Sequence, residues 1–141
     1  FAADSQCSGD AHVVRVSKLF RLPCGGVAAG CGSFPEIVRA IQWLKAGSKG
    51  KPPKMKASEI MVAYPDGRTG VYISWIFTEV NGPCAIGSGT QAAMAAMVHY
   101  EASALEAVKA SASVDPNTSG PFQVMRVEPK AKRKSSARKG K

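Results

Sequence analysis

Long hydrophobic runs and metal-ligand spacings are both missing from this 141-residue chain. No apolar run approaches the roughly 18 residues that cross a bilayer, so the sequence predicts no membrane span and no membrane partner. The cysteines form neither a Cys-x-x-Cys pair nor a Cys/His set, and the two histidines stand apart. We therefore expect reduced thiols, no metal and no cofactor, in a reducing compartment such as the cytoplasm. These residues are Cys7, Cys24, Cys31, Cys84, His12 and His99.

The sequence also predicts no secretory signal peptide, because Asp4, Asp10 and Arg15 are charged residues within its first part. Residue 1 is Phe and not Met. We therefore expect that the sequence begins after processing, after trimming or after an omitted segment.

Acidic residues are absent from the C-terminal stretch 130–141, which holds seven of the nineteen Lys and Arg. The net charge of +9 minus these seven charges leaves +2, an ordinary value for a globular domain. We therefore divide the chain into one domain, 1–129, and a basic low-complexity tail, 130–141. The candidate anion-binding residues of the tail are Lys130, Lys132, Arg133, Lys134, Arg138, Lys139 and Lys141.

The stretch from Pro83 to Met97 combines a short apolar segment, two glycines and an alanine-rich run. It predicts a strand over Cys84–Ile86, a turn at Gly87-Ser88-Gly89 and then a helix. Glycine permits positive φ and close backbone approach. The turn is therefore either a tight structural junction or an anion site at a helix N-terminus.

The remaining pattern places strand and helix blocks in separate groups. Capping boxes at Ser33/Glu36 and Ser103/Glu106 predict two helices, which end near Gly47 and Ser113. Alternating or small apolar residues predict strands at 13–16, 18–22, 25–31, 59–64, 70–74, 75–80 and 122–127. The lysine-rich segment 48–56 predicts an exposed, solvated loop. This grouping favours an α+β fold in which helices flank stacked antiparallel sheets.

Five segments in this order resemble the proteasome β-subunit family, and within it the bacterial HslV-type peptidase. They are Phe1-Ala2-Ala3-Asp4, Lys18–Leu22, Val27-Ala28-Ala29-Gly30, Ala85-Ile86-Gly87-Ser88-Gly89 and Asp115–Gly120. The resemblance covers about 1–129 and implies the four-layer αββα sandwich of N-terminal-nucleophile hydrolases. Phe1–Asp4 is similar to the family's second strand, so the first strand is expected to be missing from this sequence.

The same resemblance implies a catalytic centre. The family's nucleophile is an N-terminal threonine whose own α-amine, with a pKa near about 8, acts as the base. Asp4 matches the family's first aspartate. Its catalytic lysine aligns best with Arg15, which keeps the charge but does not carry protons, and Lys18 is the alternative match.

Ser88, Asp115 and Ser119 match the residues that support the amine in this family. Asp4 and Asp115 also have a purely structural interpretation, because both stand where a strand or helix is expected to end.

These features lead to three hypotheses. The first is a non-catalytic, proteasome-like subunit: a structural or assembly component of a homo-oligomer or larger complex, in the cytoplasm or a viral particle. Its tail would contact nucleic acid or an acidic protein. The alternative is a threonine-type endopeptidase subunit whose Thr-bearing first strand lies outside this sequence. The third is a small-molecule amidohydrolase of the same superfamily.

Overall fold

A computed structural model describes residues 1–8 and 13–128. The proposed tail at 130–141 and His12 lie outside the described residues. Within them the chain forms nine strands and three helices. In chain order these are β1 Ala2–Ala3, β2 Gln6–Ser8, β3 Val13–Arg15, β4 Leu19–Arg21, β5 Val27–Gly32, α1 Phe34–Lys45, β6 Ser58–Ala63, β7 Thr69–Ile73, β8 Ile76–Glu79, α2 Thr90–His99, α3 Ala104–Ala112 and β9 Gln123–Val124. None of the described helices is long and apolar enough to span a bilayer.

An antiparallel sheet in the order β4-β5-β6-β7-β8 forms the centre of the molecule. The strands β5 and β6 are buried on both faces, as the small apolar run in β5 predicts. One face packs against α1 through a cluster that includes Ala28, Ile60 and Val62. The other face, with Leu19, Met61 and Val71, packs against Phe1, Ala3 and Met125.

Two short strand pairs, β1–β9 and β2–β3, accompany the large sheet. Helix α3 contacts β1 on the side away from that sheet, and α2 packs on α3 through Ala93, Ala96 and Ala107. The order of layers is therefore α1, large sheet, short strands, α2 with α3. The α+β sandwich expected from the sequence is confirmed.

Helix α1 buries the stripe that its spacing predicts, namely Ile37, Ala40, Ile41 and Leu44. Gly30 on β5 allows the close approach, because a Cβ there would lie 2.7 Å from Ile37 Cγ2. The capping box predicted for this helix is wrong, since the Ser33 side chain makes no capping bond. The Glu36 carboxylate instead accepts hydrogen bonds from Lys56 N, Ala57 N and Ser58 Oγ, which ties α1 to the start of β6.

Three predicted strands differ from the structure. Cys84–Ile86 is irregular, and its side chains reach the core without joining a sheet. The last strand shrinks to Gln123–Val124, because its partner β1 is only two residues long. A turn at Ser74 and Trp75, both with positive φ, separates β7 from β8, so the predicted strand at 75–80 begins one residue late.

Candidate active site

Asp4, just after β1, and Lys18, just before β4, form a shielded ion pair. Lys18 Nζ lies 2.9 Å and 3.0 Å from the two Asp4 carboxylate oxygens, and the side chains are 20% and 13% exposed, respectively. Gln6 N also donates to Asp4 Oδ2, at 2.8 Å. Gln123 Oε1 accepts from the Lys18 amide and so fixes the chain just before β4. The ion pair is therefore held from both sides.

Arg15 occupies a different position. It ends β3, where its guanidinium donates to Ser119 Oγ at 2.5 Å. The sequence left Arg15 and Lys18 as the two candidates for a cation beside Asp4. In the structure Lys18 lies beside Asp4, and Arg15 hydrogen-bonds Ser119 instead. Lys18, the alternative match in the sequence, is thus the cation that lies beside Asp4.

A second polar network joins the turn before α2 to the segment after α3. Ser88 Oγ donates to Asp115 Oδ2 at 2.6 Å, and Thr118 Oγ1 donates to the same oxygen at 2.7 Å. Asn117 N donates to Asp115 Oδ1. These bonds, that of Ser88 foremost, lower the pKa of Asp115 to about 2, so the carboxylate stays charged. The antiparallel pairing of α2 and α3 brings the two segments together.

Gln6, which no sequence motif indicated, connects the segment 115–119 to the ion pair. Its side-chain oxygen accepts from Ser119 Oγ at 2.5 Å, while its Nε2 donates to Pro116 O at 3.0 Å. Its backbone already binds Asp4. The sequence feature that could have indicated Gln6 is its position two residues after Asp4, at the start of β2.

A cavity of about 1220 Å³ unites the two networks. Asp4, Gln6, Lys18, Ser88 and Thr118 are among its lining residues. Asp115 and Ser119 lie behind this lining and hydrogen-bond to it. All five predicted site residues therefore belong to hydrogen-bonded networks beside this space: Asp4 pairs with Lys18, Ser88 bonds Asp115, and Ser119 bonds Gln6 and Arg15.

Cys31 and Glu59 line the same cavity from the large sheet, and they too were missed as site residues. They are direct neighbours across β5 and β6, with Cys31 Sγ 3.7 Å from Glu59 Oε2. Burial, followed by the nearby carboxylate, raises the pKa of Cys31 to about 11. The thiol therefore stays protonated and weakly nucleophilic at neutral pH.

In the described part of the chain, no group of three or more His, Cys, Asp or Glu side chains is arranged to hold a metal ion. The cavity instead offers one shielded cation, fixed carboxylates and hydroxyl groups. Such a set can lower the pKa of a hydroxyl and orient an amine.

Comparison with solved structures identifies the fold. BPH from Thiobacillus denitrificans in complex with epoxomicin matches over 91% of this chain and 92% of that chain, with 19% identity and a TM-score of 0.66. Eukaryotic HslV from Trypanosoma brucei matches over 88% and 90%, with 19% identity and a TM-score of 0.70. No protein-family model and no curated protein matches the sequence. At this identity the likeness shows the fold, and the chain has the HslV-type fold that its motifs indicated.

Proposed function

We propose that the chain is a subunit of an HslV-like assembly and carries the supporting half of an N-terminal-nucleophile peptidase site. The observation that carries this proposal is the cavity shared by the Asp4–Lys18 pair and the Ser88–Asp115 network. The Asp4–Lys18 pair and Ser88 come from opposite halves of the chain and line one space large enough for a peptide segment.

Each residue has a role in this proposal. The Lys18 ammonium would favour the alkoxide of a nearby threonine hydroxyl, and Asp4 would hold Lys18 in place. The network of Ser88, Asp115 and Ser119 would orient the threonine α-amine, which acts as the base. The threonine itself would come from a segment outside these 141 residues.

The reaction would then be acyl transfer. The α-amine takes the hydroxyl proton while the threonine oxygen attacks the peptide carbonyl. The amine next gives this proton to the leaving nitrogen, so that an ester of the threonine remains. Water hydrolyses that ester by the same proton route and frees the carboxylic acid.

N-terminal sequencing and intact mass measurement of the natural protein test this proposal. We expect a free threonine amine on a segment preceding Phe1, together with hydrolysis of fluorogenic peptides. Lys18→Ala should reduce kcat/KM by about 10² or more, whereas Lys109→Ala, an exposed lysine on α3, should leave it unchanged. A natural terminus at Phe1, or full activity in Lys18→Ala, would refute the peptidase role.

A second candidate is the non-catalytic structural subunit. In the part of the chain that the structure describes, Lys18 Nζ hydrogen-bonds the Asp4 carboxylate and no hydroxyl or thiol. A subunit with this arrangement would serve assembly, including assembly of a viral particle, and its tail at 130–141 would contact an acidic protein or nucleic acid.

The mass of the native assembly and the salt dependence of partner binding test the structural-subunit candidate separately. Native mass spectrometry should find a homo-oligomer or a larger complex without peptide hydrolysis. Removal of 130–141 should abolish a salt-sensitive contact with the anionic partner. A monomer whose contacts do not depend on the tail would rule out this candidate.

A further inference from the structure

The loop between α1 and β6, residues 46–57, concentrates positive charge on one surface. It carries four lysines, all exposed, and contains no acidic residue. Among the described residues the ion pairs are Asp4–Lys18 and Asp66–Arg68, so none of these four ammonium groups has a carboxylate partner. We call this surface the lysine loop; its cations are Lys49, Lys51, Lys54 and Lys56.

The backbone of the lysine loop is fixed, although its amines are free. Trp75 Nε1 donates to Pro53 O, and Trp43 Nε1 donates to Gly50 O at 3.4 Å. The two indole rings pack edge to face with their centroids 4.6 Å apart. Met55, 8% exposed, inserts into the core below them. The loop therefore presents its charges with little backbone entropy left to lose on binding.

The charge of the loop stands out against the rest of the domain. Residues 1–129 have a net charge of +2, of which the loop contributes +4, so the remainder is −2. The Glu36 carboxylate reaches the loop, where it accepts from Lys56 N, Ala57 N and Ser58 Oγ. That carboxylate binds backbone and hydroxyl groups and does not pair with a lysine amine.

We infer that the lysine loop binds the phosphodiester backbone of duplex nucleic acid without sequence preference. Protein interfaces are depleted in lysine and have an apolar centre, but the large apolar side chain of the loop, Met55, is already buried in the core. Nucleic-acid interfaces are strongly positive and polar. Lysine amines that contact phosphates fix position and carry no base information. Lys49, Lys51 and Lys54 do not line the cavity of the proposed peptidase site, whereas Lys56 lies at its wall.

Fluorescence anisotropy on the full chain tests the inference, with two short duplexes of unrelated sequence titrated between about 50 and 200 mM salt. We expect binding to both duplexes with a negative slope of log K against log salt. Lys51→Gln combined with Lys54→Gln should make that slope shallower by about 2, since each lost phosphate contact removes about 0.9.

The matched control combines Lys109→Gln with Arg126→Gln, which removes the same charge from exposed positions outside the loop. The control should keep the original slope. The inference fails if the full chain binds neither duplex, if both double variants change the slope equally, or if one duplex binds more than tenfold tighter. It also fails if the loop variant loses polyglutamate binding but keeps duplex binding, because the partner is then an acidic protein. Unchanged circular dichroism of both variants confirms that the fold is kept.

Discussion

At the residue scale, the shielded Asp4–Lys18 pair is expected to stabilise the fold. Lys18→Met removes the cation and leaves the shielded Asp4 carboxylate with the Gln6 amide as its remaining partner. Because a charge left unpaired in a low-dielectric site is costly, we expect a loss of about 1–3 kcal/mol in the free energy of unfolding. Urea denaturation measures this loss.

Arg68→Met is the matched control, because it breaks the Asp66–Arg68 pair, whose side chains are more than half exposed. Water and salt screen such a pair, so no measurable change in the unfolding midpoint is expected. Equal losses in the two variants would show that the Asp4–Lys18 pair is as solvated as a surface pair.

The carboxylate of Asp115 gives a pH prediction. Its pKa in the folded protein is about 2, below the value near 3.9 expected when unfolded. Its stabilising contribution is therefore complete above about pH 4 and is lost as the pH falls towards about 2.

Ser88→Ala removes the hydrogen bond that lowers the pKa of Asp115 most. The free energy of unfolding should therefore fall less steeply in this variant between about pH 4 and about pH 2. Denaturant midpoints at successive pH values measure it. Ser113→Ala is the control, since Ser113 Oγ donates to a backbone carbonyl and touches no carboxylate. Identical acid profiles for the wild type and Ser88→Ala would contradict the assigned cause.

Residue identity alone could suggest Asp4, Ser88, Asp115 and Ser119, because a resemblance carries residue types and order. It could not choose between Arg15 and Lys18. That choice depends on where β3 ends and β4 begins, and Gln123, from the other end of the chain, fixes the backbone at Lys18. The linking role of Gln6 is equally non-local, since its side chain bonds residues 116 and 119.

At the scale of the elements, two capping boxes with the same sequence signature behave differently. Around α3 both reciprocal bonds form between Ser103 and Glu106. At α1 the Ser33 hydroxyl makes no cap, because Glu36 serves the loop before β6. Ser103→Ala should therefore lower the free energy of unfolding by about 1 kcal/mol.

Ser33→Ala is the variant to compare with Ser103→Ala, and thermal or urea denaturation of both measures how much each serine stabilises the fold. Because the Ser33 side chain caps nothing, its removal should change stability much less than that of Ser103. A larger loss at Ser33 would show that the α1 capping box forms in solution.

Periodicity predicted the long elements well, because burial on one or both faces fixes their pattern. The stripe of α1 and the strands β5 and β6 are examples. It failed at Cys84–Ile86, where apolar side chains pack in the core without a neighbouring strand to pair with. It also missed the turn at Ser74 and Trp75, since neither residue type favours positive φ.

At the scale of the whole molecule, the outer edge of the large sheet bears on the proposed assembly. Among the described strands β8 pairs with β7 alone, and Ile76 is 71% exposed directly beside Ile73, which is 51% exposed. Exposed apolar side chains at an unpaired sheet edge favour pairing with another chain. Ile76→Lys should shift the proposed oligomer towards smaller species in sedimentation velocity.

Gln91→Lys adds the same charge on exposed α2 and should leave the sedimentation profile unchanged. If Ile76→Lys sediments as the wild type does, the edge of β8 plays no part in association.

The sequence by itself determined the α+β class, the core of α1 and the large sheet, and the concentration of lysine in 46–57. Each depends on local composition or on a periodicity that burial imposes. Tertiary structure decided that Lys18 faces Asp4, that Gln6 joins two networks, and that tryptophans from α1 and the β7–β8 turn fix the lysine loop. These contacts join residues distant in the chain, so their geometry follows from how the layers pack and not from any local pattern.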